Sequence, residues 1–204
     1  MKRKRLSFLT IVLALFYINS YCSKLISIED GLSSRQVYSI EKDKKGFMWF
    51  LTYDGVDRFD GLSTTHYKLN HNREEINASP DINYLAKDSK GNIIELGKNG
   101  HIFRYNYNKD KFELLFDFTN LTRKSKLINA SSIFLDSKDI IWINIKDKNY
   151  LYDYSKKELT TIETELKEEV VAMTEVDEKM YSMATSEHIY TVLLRGNRIK
   201  VLSM

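Results

Sequence analysis

Three observations predict an all-β chain of β-propeller-type blades. The first is a pattern that returns three times: an apolar strand, an Asp-led turn, a second apolar strand, then a strand end rich in Arg, Tyr and Asp. Its copies run from Val37 to Trp49, Ile82 to Ile94 and Ser131 to Trp142, and their turn aspartates Asp43, Asp88 and Asp136 stand 45 and 48 residues apart. A strand-built unit of this period is a small sheet that cannot bury both faces alone, so it must stack on its neighbours. The second observation is composition: 12% of the 204 residues are aromatic, with 13 Tyr and 10 Phe, which suits a pleated, half-buried surface. The third is that only Glu163 to Glu169 has helical character, and that stretch reads equally as an acidic loop. A β-sandwich also has short strands and frequent turns, but not one motif at a near-constant interval.

Residues 1–22 read as a secretory signal rather than as fold. Lys2, Arg3, Lys4 and Arg5 form a positive head, Leu6 to Ile18 an apolar run, and Ser20-Tyr21-Cys22 the region a signal peptidase reads. The run is shorter than the roughly 20 residues of a membrane-spanning helix. The alternative is an uncleaved anchor held by the basic head. Cys22 is the only cysteine; a lipoprotein signal also places one here, but bulky Tyr21 precedes it. The exported part, 23–204, then contains no disulfide, and the expected destination is the periplasm of a Gram-negative cell.

The first blade is expected over about 25–70. Val37 to Ile40 is a strand, and Asp43 to Gly46 a compact turn in which Asp binds the following backbone and Gly supplies a positive φ. Phe47 to Leu51 is continuously apolar, as a central strand should be. Tyr53-Asp54-Gly55 turns again, Val56 to Gly61 is the third strand with its exit, and His66 to Leu69 the fourth. The second blade, about 71–118, repeats this order with turns at Asp88 to Gly91 and Lys98 to Gly100, then strands over Ile102 to Asn106 and Phe112 to Phe116. In the third, about 119–163, Asp139 replaces the glycine, a place Asp tolerates; Asp147-Lys148-Asn149 makes the next turn, with strands at Tyr150 to Tyr154 and Leu159 to Ile162. A fourth unit, about 164–204, keeps the rhythm with degraded turns at Asp177 to Lys179 and Ser186-Glu187. Three blades are clear and one is fainter.

From Glu29 to Gly61 the chain resembles the two-component regulator propeller repeat. Asp30-Gly31-Leu32 matches the family's "DGL" opening, Asp43, Gly46 and Trp49 its "D-x-x-G-x-x-W", Thr52 and Gly55 its "T-x-x-G", and Arg58-Phe59-Asp60 its aromatic exit. The second copy keeps Asp88, Gly91, Gly100, Arg104 and Tyr105 but has Ile94 for the Trp; the third keeps Asp136 and Trp142 and loses both glycines and the Arg. The resemblance implies the extracytoplasmic receptor of a Bacteroides-type hybrid two-component system, sensing oligosaccharides. In that family the propeller precedes an immunoglobulin-like segment, a membrane helix, a histidine kinase, a receiver and a DNA-binding region. None of these is expected in this chain, and four blades are not expected to close a ring of about seven. The chain is therefore read as the amino-terminal piece of such a sensor or a stand-alone relative.

The remaining residues offer no catalytic pattern. His66, His71, His101 and His188 lack metal-ligand spacing and read as solvent-facing or turn histidines. Trp49 and Trp142 read as inter-blade core rather than as sugar-stacking platforms. Arg58 and Arg104 are expected to pair with Asp54, Asp57 or Asp60 and to stack on rings between blades. The carboxylate pairs Asp57/Asp60 and Glu74/Glu75 do not establish the cleft a glycosidase needs. Asp-Ser-Lys-Gly is too short for an EF-hand loop, and the Lys44-Lys45 and Lys156-Lys157 turns read as solvated edges. Asn77 and Asn129 sit in glycosylation-like sequons. Net charge is +3, from 31 basic and 28 acidic residues, and the basic excess lies at Lys2 to Arg5 and Lys24, so no nucleic-acid footprint remains. The expected partners are an oligosaccharide, and a second copy or further propeller blades; no cofactor or metal is expected, and the membrane only through the amino-terminal segment. The rival reading is a protein-interaction module. A propeller-type lyase or hydrolase is disfavoured by the missing constellation.

Overall fold

The structure, a computed structural model, describes residues 25–68, 83–121, 130–146 and 148–204. The signal-like segment 1–22, His71, Glu74, Glu75, Asn77, Asn129 and Asp147 lie outside these residues.

Each blade is an antiparallel sheet whose strands neighbour one another in chain order. Blade 1 comprises β1 (Val37–Lys42), β2 (Met48–Thr52), β3 (Gly55–Phe59) and β4 (Thr64–Tyr67). Blade 2 comprises β5 (Asn83–Lys87), β6 (Ile93–Gly97), β7 (His101–Asn106) and β8 (Lys111–Asp117). Blade 3 comprises β9 (Ser132–Leu135), β10 (Ile140–Ile145), β11 (Lys148–Asp153) and β12 (Glu158–Thr164). Blade 4 comprises β13 (Ala172–Asp177), β14 (Met180–Ala184), β15 (Ile189–Arg195) and β16 (Arg198–Ser203). The unit that is faint in sequence is thus complete in structure. Its first hairpin closes more tightly, with Asp177 paired to Met180 across a bulge.

The second strands β2, β6 and β10 are buried on both faces, which accounts for their unbroken apolar runs. Alternate side chains serve the two neighbouring blades. Trp49, Leu51 and Val56 of blade 1 meet Leu85, Ile93 and Tyr105 of blade 2. Ile94 and Leu96 of blade 2 meet Ile141, Ile143 and Ile145 of blade 3. Trp142 and Ile162 of blade 3 meet Tyr181, Met183, Val192 and Ile199 of blade 4. The core therefore lies between blades, as stacking of half-buried sheets requires. The outer face of blade 1 is covered by its own leading segment, with Ile26 and Leu32 packed on Met48, Phe50 and Phe59.

Residues 165–171 are neither helix nor strand, so of the two readings of Glu163 to Glu169 the loop is the one found, as a strand end followed by an irregular connection. Blades 3 and 4 are also not separate sheets: β12 runs long enough for Glu163 and Thr164 to pair in parallel with Arg198 and Ile199 of β16. That junction carries the Glu163 amide to the Asn197 carbonyl at 2.8 Å and the Arg198–Glu163 ion pair at 3.2 Å. The blades form an open arc.

Candidate functional site at the two blade ends

Antiparallel order places the β1–β2 and β3–β4 turns at one end of each blade, and the β2–β3 turn with the blade-to-blade connections at the other. The first end is dominated by the repeated aspartate. Asp43 Oδ1 accepts the Lys45 and Phe47 amides at 2.8 and 3.0 Å, while Oδ2 accepts Trp49 Nε1 at 2.8 Å. Oδ2 also accepts the hydroxyl of Tyr107, from blade 2, at 2.9 Å. Asp88 repeats this with the Lys90 and Asn92 amides, Asn92 Nδ2 at 2.7 Å and blade 3's Tyr154 hydroxyl at 3.2 Å. Asp136 does so with the Lys138 and Ile140 amides, Trp142 Nε1 at 3.2 Å and blade 4's Tyr181 hydroxyl at 2.9 Å. One carboxylate thus closes its own turn, fixes a side chain of its own blade (a core Trp in blades 1 and 3, Asn92 in blade 2) and fastens the next blade. Burial first, and the facing carboxylate second, push the Tyr107, Tyr154 and Tyr181 hydroxyls up, so all three remain donors at neutral pH.

The turns also bond directly from blade to blade. The Lys44 amide donates to the Gly91 carbonyl at 3.0 Å, and Lys44 Nζ to Asn92 Oδ1 at 2.7 Å. Gly91 is required here: its φ is +72°, and a Cβ would lie 2.7 Å from that of Lys44. The Ser89 amide and hydroxyl both reach Asp139 at 2.6 Å; those of Ser137 reach Glu175 at 2.8 and 2.9 Å. Asp139 stands in the left-handed region at φ 65°, in the glycine's place, and uses its carboxylate on the preceding blade. The Lys44-Lys45 turn is not a purely solvated edge, since both ammonium groups lie 4.9 Å from the Tyr107 ring. Lys156 is engaged too, 2.8 Å from Asp153.

Arg58 does not pair with Asp54, Asp57 or Asp60. Its guanidinium donates to Tyr105 Oη at 2.6 Å and Asp110 Oδ1 at 3.0 Å in blade 2, and lies 5.2 to 5.9 Å from the rings of Phe47, Tyr67, Trp49 and Tyr105. Asp110 also accepts the Tyr67 hydroxyl at 2.7 Å and the Tyr105 hydroxyl, and these two bonds hold its carboxyl below the usual range. The reason is reach: Asp57 points to the other face of β3, and Asp60 closes its own exit turn on Leu62 and Ser63. Arg104 is exposed, with its guanidinium 6.0 Å from the Tyr154 ring.

The opposite end carries two polar clusters. Buried Asp57 accepts the Ser33 amide and hydroxyl, each at 2.8 Å, and faces His66 Nδ1 at 2.7 Å. Serine, histidine and aspartate meet here, but the serine hydroxyl serves the carboxylate and Thr52, not the imidazole, so no nucleophile–base pair exists. This cluster pins the Asp30-Gly31-Leu32 opening onto blade 1. In blade 4, Glu168 accepts the Thr185 hydroxyl, the Tyr190 hydroxyl at 2.9 Å, and faces His188 Nδ1 at 3.1 Å. These groups, the Thr185 hydroxyl first, hold the Glu168 carboxyl down. Glu187 lies beside them, giving three ligand-type atoms within 4.8 Å of one another. His188 thus stands beside two carboxylates, a neighbourhood that the spacing of the histidines in sequence does not show. His188 and Tyr190 share a strand face by their two-residue spacing, a signal visible in sequence; Glu168 joins them only through the fold.

The repeat residues stand as follows. Asp43, Asp88 and Asp136 are buried at the blade seams, with Trp49 and Trp142 fully buried beside two of them. Gly46, Gly55, Gly91 and Gly100 all have positive φ. The residues that sequence reasoning missed are the staple tyrosines Tyr107, Tyr154 and Tyr181, because they occupy two different repeat positions.

Residues 31–54 match the family described as two-component regulator propeller. A comparison with curated proteins gave no match. Among solved structures, the extracellular domain assigned to a hybrid two-component system of B. thetaiotaomicron is similar at a TM-score of 0.66 and 20% identity, over 88% of this chain and 26% of that one. The extracellular domain assigned to a one-component system of the same organism is similar at 0.62 and 14%, over 92% and 27%. A streptogramin B lyase is similar at 0.60 and 15%, over 88% and 57%. The chain spans about a quarter of the length of the two extracellular domains. Residues 31–54 of the first blade thus match the two-component regulator propeller repeat, and the fold is a propeller segment similar to those in the extracellular domains of two B. thetaiotaomicron proteins.

Proposed function

We propose that the chain is an exported, periplasmic ligand-sensing segment of a hybrid two-component regulator, with oligosaccharides as its ligand class and no catalytic step of its own. The observation that carries this reading is the division of labour between the blade ends. The aspartate-turn end is committed to blade-to-blade bonds through Asp43, Asp88, Asp136, Ser89 and Ser137. The other end presents aromatic, hydroxyl and carboxylate groups, among them exposed Tyr53 and half-buried His188 and Tyr190, which are the groups that stack on and hydrogen-bond to sugars. The family match at 31–54 supports a sensing role. Binding across adjacent blades favours one arrangement of the arc over another, and a kinase elsewhere reads that shift.

The test is thermal denaturation of the chain against oligosaccharides from partially digested polysaccharides, with chromatography of each sugar afterwards. At least one sugar should raise the melting temperature and be recovered unchanged. Stabilisation by none, or recovery of a cleaved product, refutes the reading. A protein-interaction role is favoured by Val176 and Ile189 of blade 4, which are 56% and 66% exposed; stable co-purification of another propeller chain without any sugar response would establish it instead.

A further inference from the structure

We infer that Glu168, Glu187 and His188 form a binding site for a divalent transition-metal ion of the zinc class, joining the blade 3–blade 4 connection to the β14–β15 loop. The inference does not depend on the sensing role. His188 Nδ1 lies 3.1 and 3.3 Å from the two Glu168 oxygens. Ligand atoms around a tetrahedral zinc, with bonds of about 2.0 Å, are about 3.3 Å apart, so this pair already has the separation of two neighbouring ligands. The ion takes the place of the hydrogen between imidazole and carboxylate, and the ligating ring is neutral with its one proton on Nε2: a neutral ring changes tautomer, and a doubly protonated ring releases one proton to solvent.

The third donor, Glu187, is exposed and next in sequence to His188, and its carboxylate lies within 4.8 Å of the other two ligand atoms. A rotation of this free side chain closes the set. Glu168 is already oriented: Tyr190 donates to Oε1 and Thr185 to Oε2, the kind of supporting hydrogen bonds that hold a ligating carboxylate. The β14–β15 loop is itself closed by the Thr185 amide on the His188 carbonyl at 2.9 Å. One imidazole with two carboxylates suits zinc and its neighbours, whereas calcium and magnesium favour all-oxygen sets.

Calorimetric titration of the full chain with zinc chloride tests the site, alongside His188→Gln and Glu187→Gln variants whose metal-free melts are compared with the native chain. The native chain should take up one equivalent of zinc, with affinity weakened about tenfold or more in each variant, and excess magnesium should not compete. Glu187→Gln alters an exposed side chain and keeps the test decisive if His188→Gln folds poorly. No saturable uptake by the native chain, or unchanged affinity in the folded variants, overturns the assignment.

Discussion

Replacing Asp43 by Asn separates the chemistry of the blade staple from its shape. Asn keeps one oxygen, which the Lys45 and Phe47 amides require, so its amide nitrogen takes the place of Oδ2. That nitrogen then faces Trp49 Nε1 and the Tyr107 hydroxyl. Tyr107 can rotate and accept; the indole nitrogen has no lone pair to offer. Trp49 is fully buried, so its N–H is left without a partner, at about 1 to 3 kcal/mol. Loss of charge assistance in the remaining bonds brings the total to about 2 to 4 kcal/mol. Asp88→Asn is the control, because its Oδ2 faces Asn92 Nδ2 and the Tyr154 hydroxyl; the hydroxyl can turn an acceptor toward the new amide, and Asn92 can do so by giving up its exposed Oδ1 bond to Lys44 Nζ. The substitution should cost about 1 to 2 kcal/mol. For a chain of this size these figures lower the melting temperature by roughly 4 to 16 °C and roughly 2 to 8 °C respectively. Calorimetry, with fluorescence and circular dichroism melts compared for coincidence, measures both. If Asp88→Asn destabilises as much as Asp43→Asn, the indole bond is not what distinguishes the two blades.

Three further tests follow from the same geometry. Arg58→Ala should cost about 2 kcal/mol, since it removes the Tyr105 bond and the ring contacts between blades 1 and 2, whereas Arg104→Ala should change stability by under about 0.5 kcal/mol, as exposed substitutions do; urea titration compares them. Gly55→Ala should destabilise clearly more than Gly61→Ala in the same assay: both have positive φ, but a Cβ at Gly55 would lie 2.5 Å from the Tyr67 carbonyl and one at Gly61 meets nothing, which leaves only about 1 to 2 kcal/mol of backbone strain there. Asp153 is held down to about 2 by the Lys156 ammonium and the Ser155 hydroxyl. A depressed carboxyl stabilises the fold above its ordinary value of 3.8 and loses that contribution as pH falls toward about 2. Asp153→Asn should therefore flatten the fall in melting temperature over that window.

The blade architecture was legible because one physical need writes one residue type at one place: a five-residue turn wants Asp at its start and a left-handed residue near its end. Asp43, Asp88 and Asp136 show that rule, and Asp139 shows its tolerance. The fourth blade was faint because its first turn is only Glu178-Lys179, beside a bulge, with no Asp-led five-residue signature, and because Tyr181 stands in the second strand where blades 1 and 3 carry Trp. Long-range partners were not legible. Nothing local to Arg58 indicates Asp110, 52 residues on, and nothing near His188 indicates Glu168, 20 residues back; only the stacking of blades and the course of their connections bring these groups together. The parallel β12–β16 junction was hidden for the same reason, since edge pairing between blades leaves no periodic trace in the sequence.

Hydrogen exchange on the full chain, with and without an oligosaccharide that stabilises it, tests the sensing assignment most directly. Protection should appear at the end bearing the β2–β3 and β14–β15 loops, around 53–54 and 185–190, while the already bonded aspartate turns at 43–47, 88–92 and 136–140 stay unchanged. Protection confined to the aspartate turns, or none at either end at saturating sugar, would contradict it.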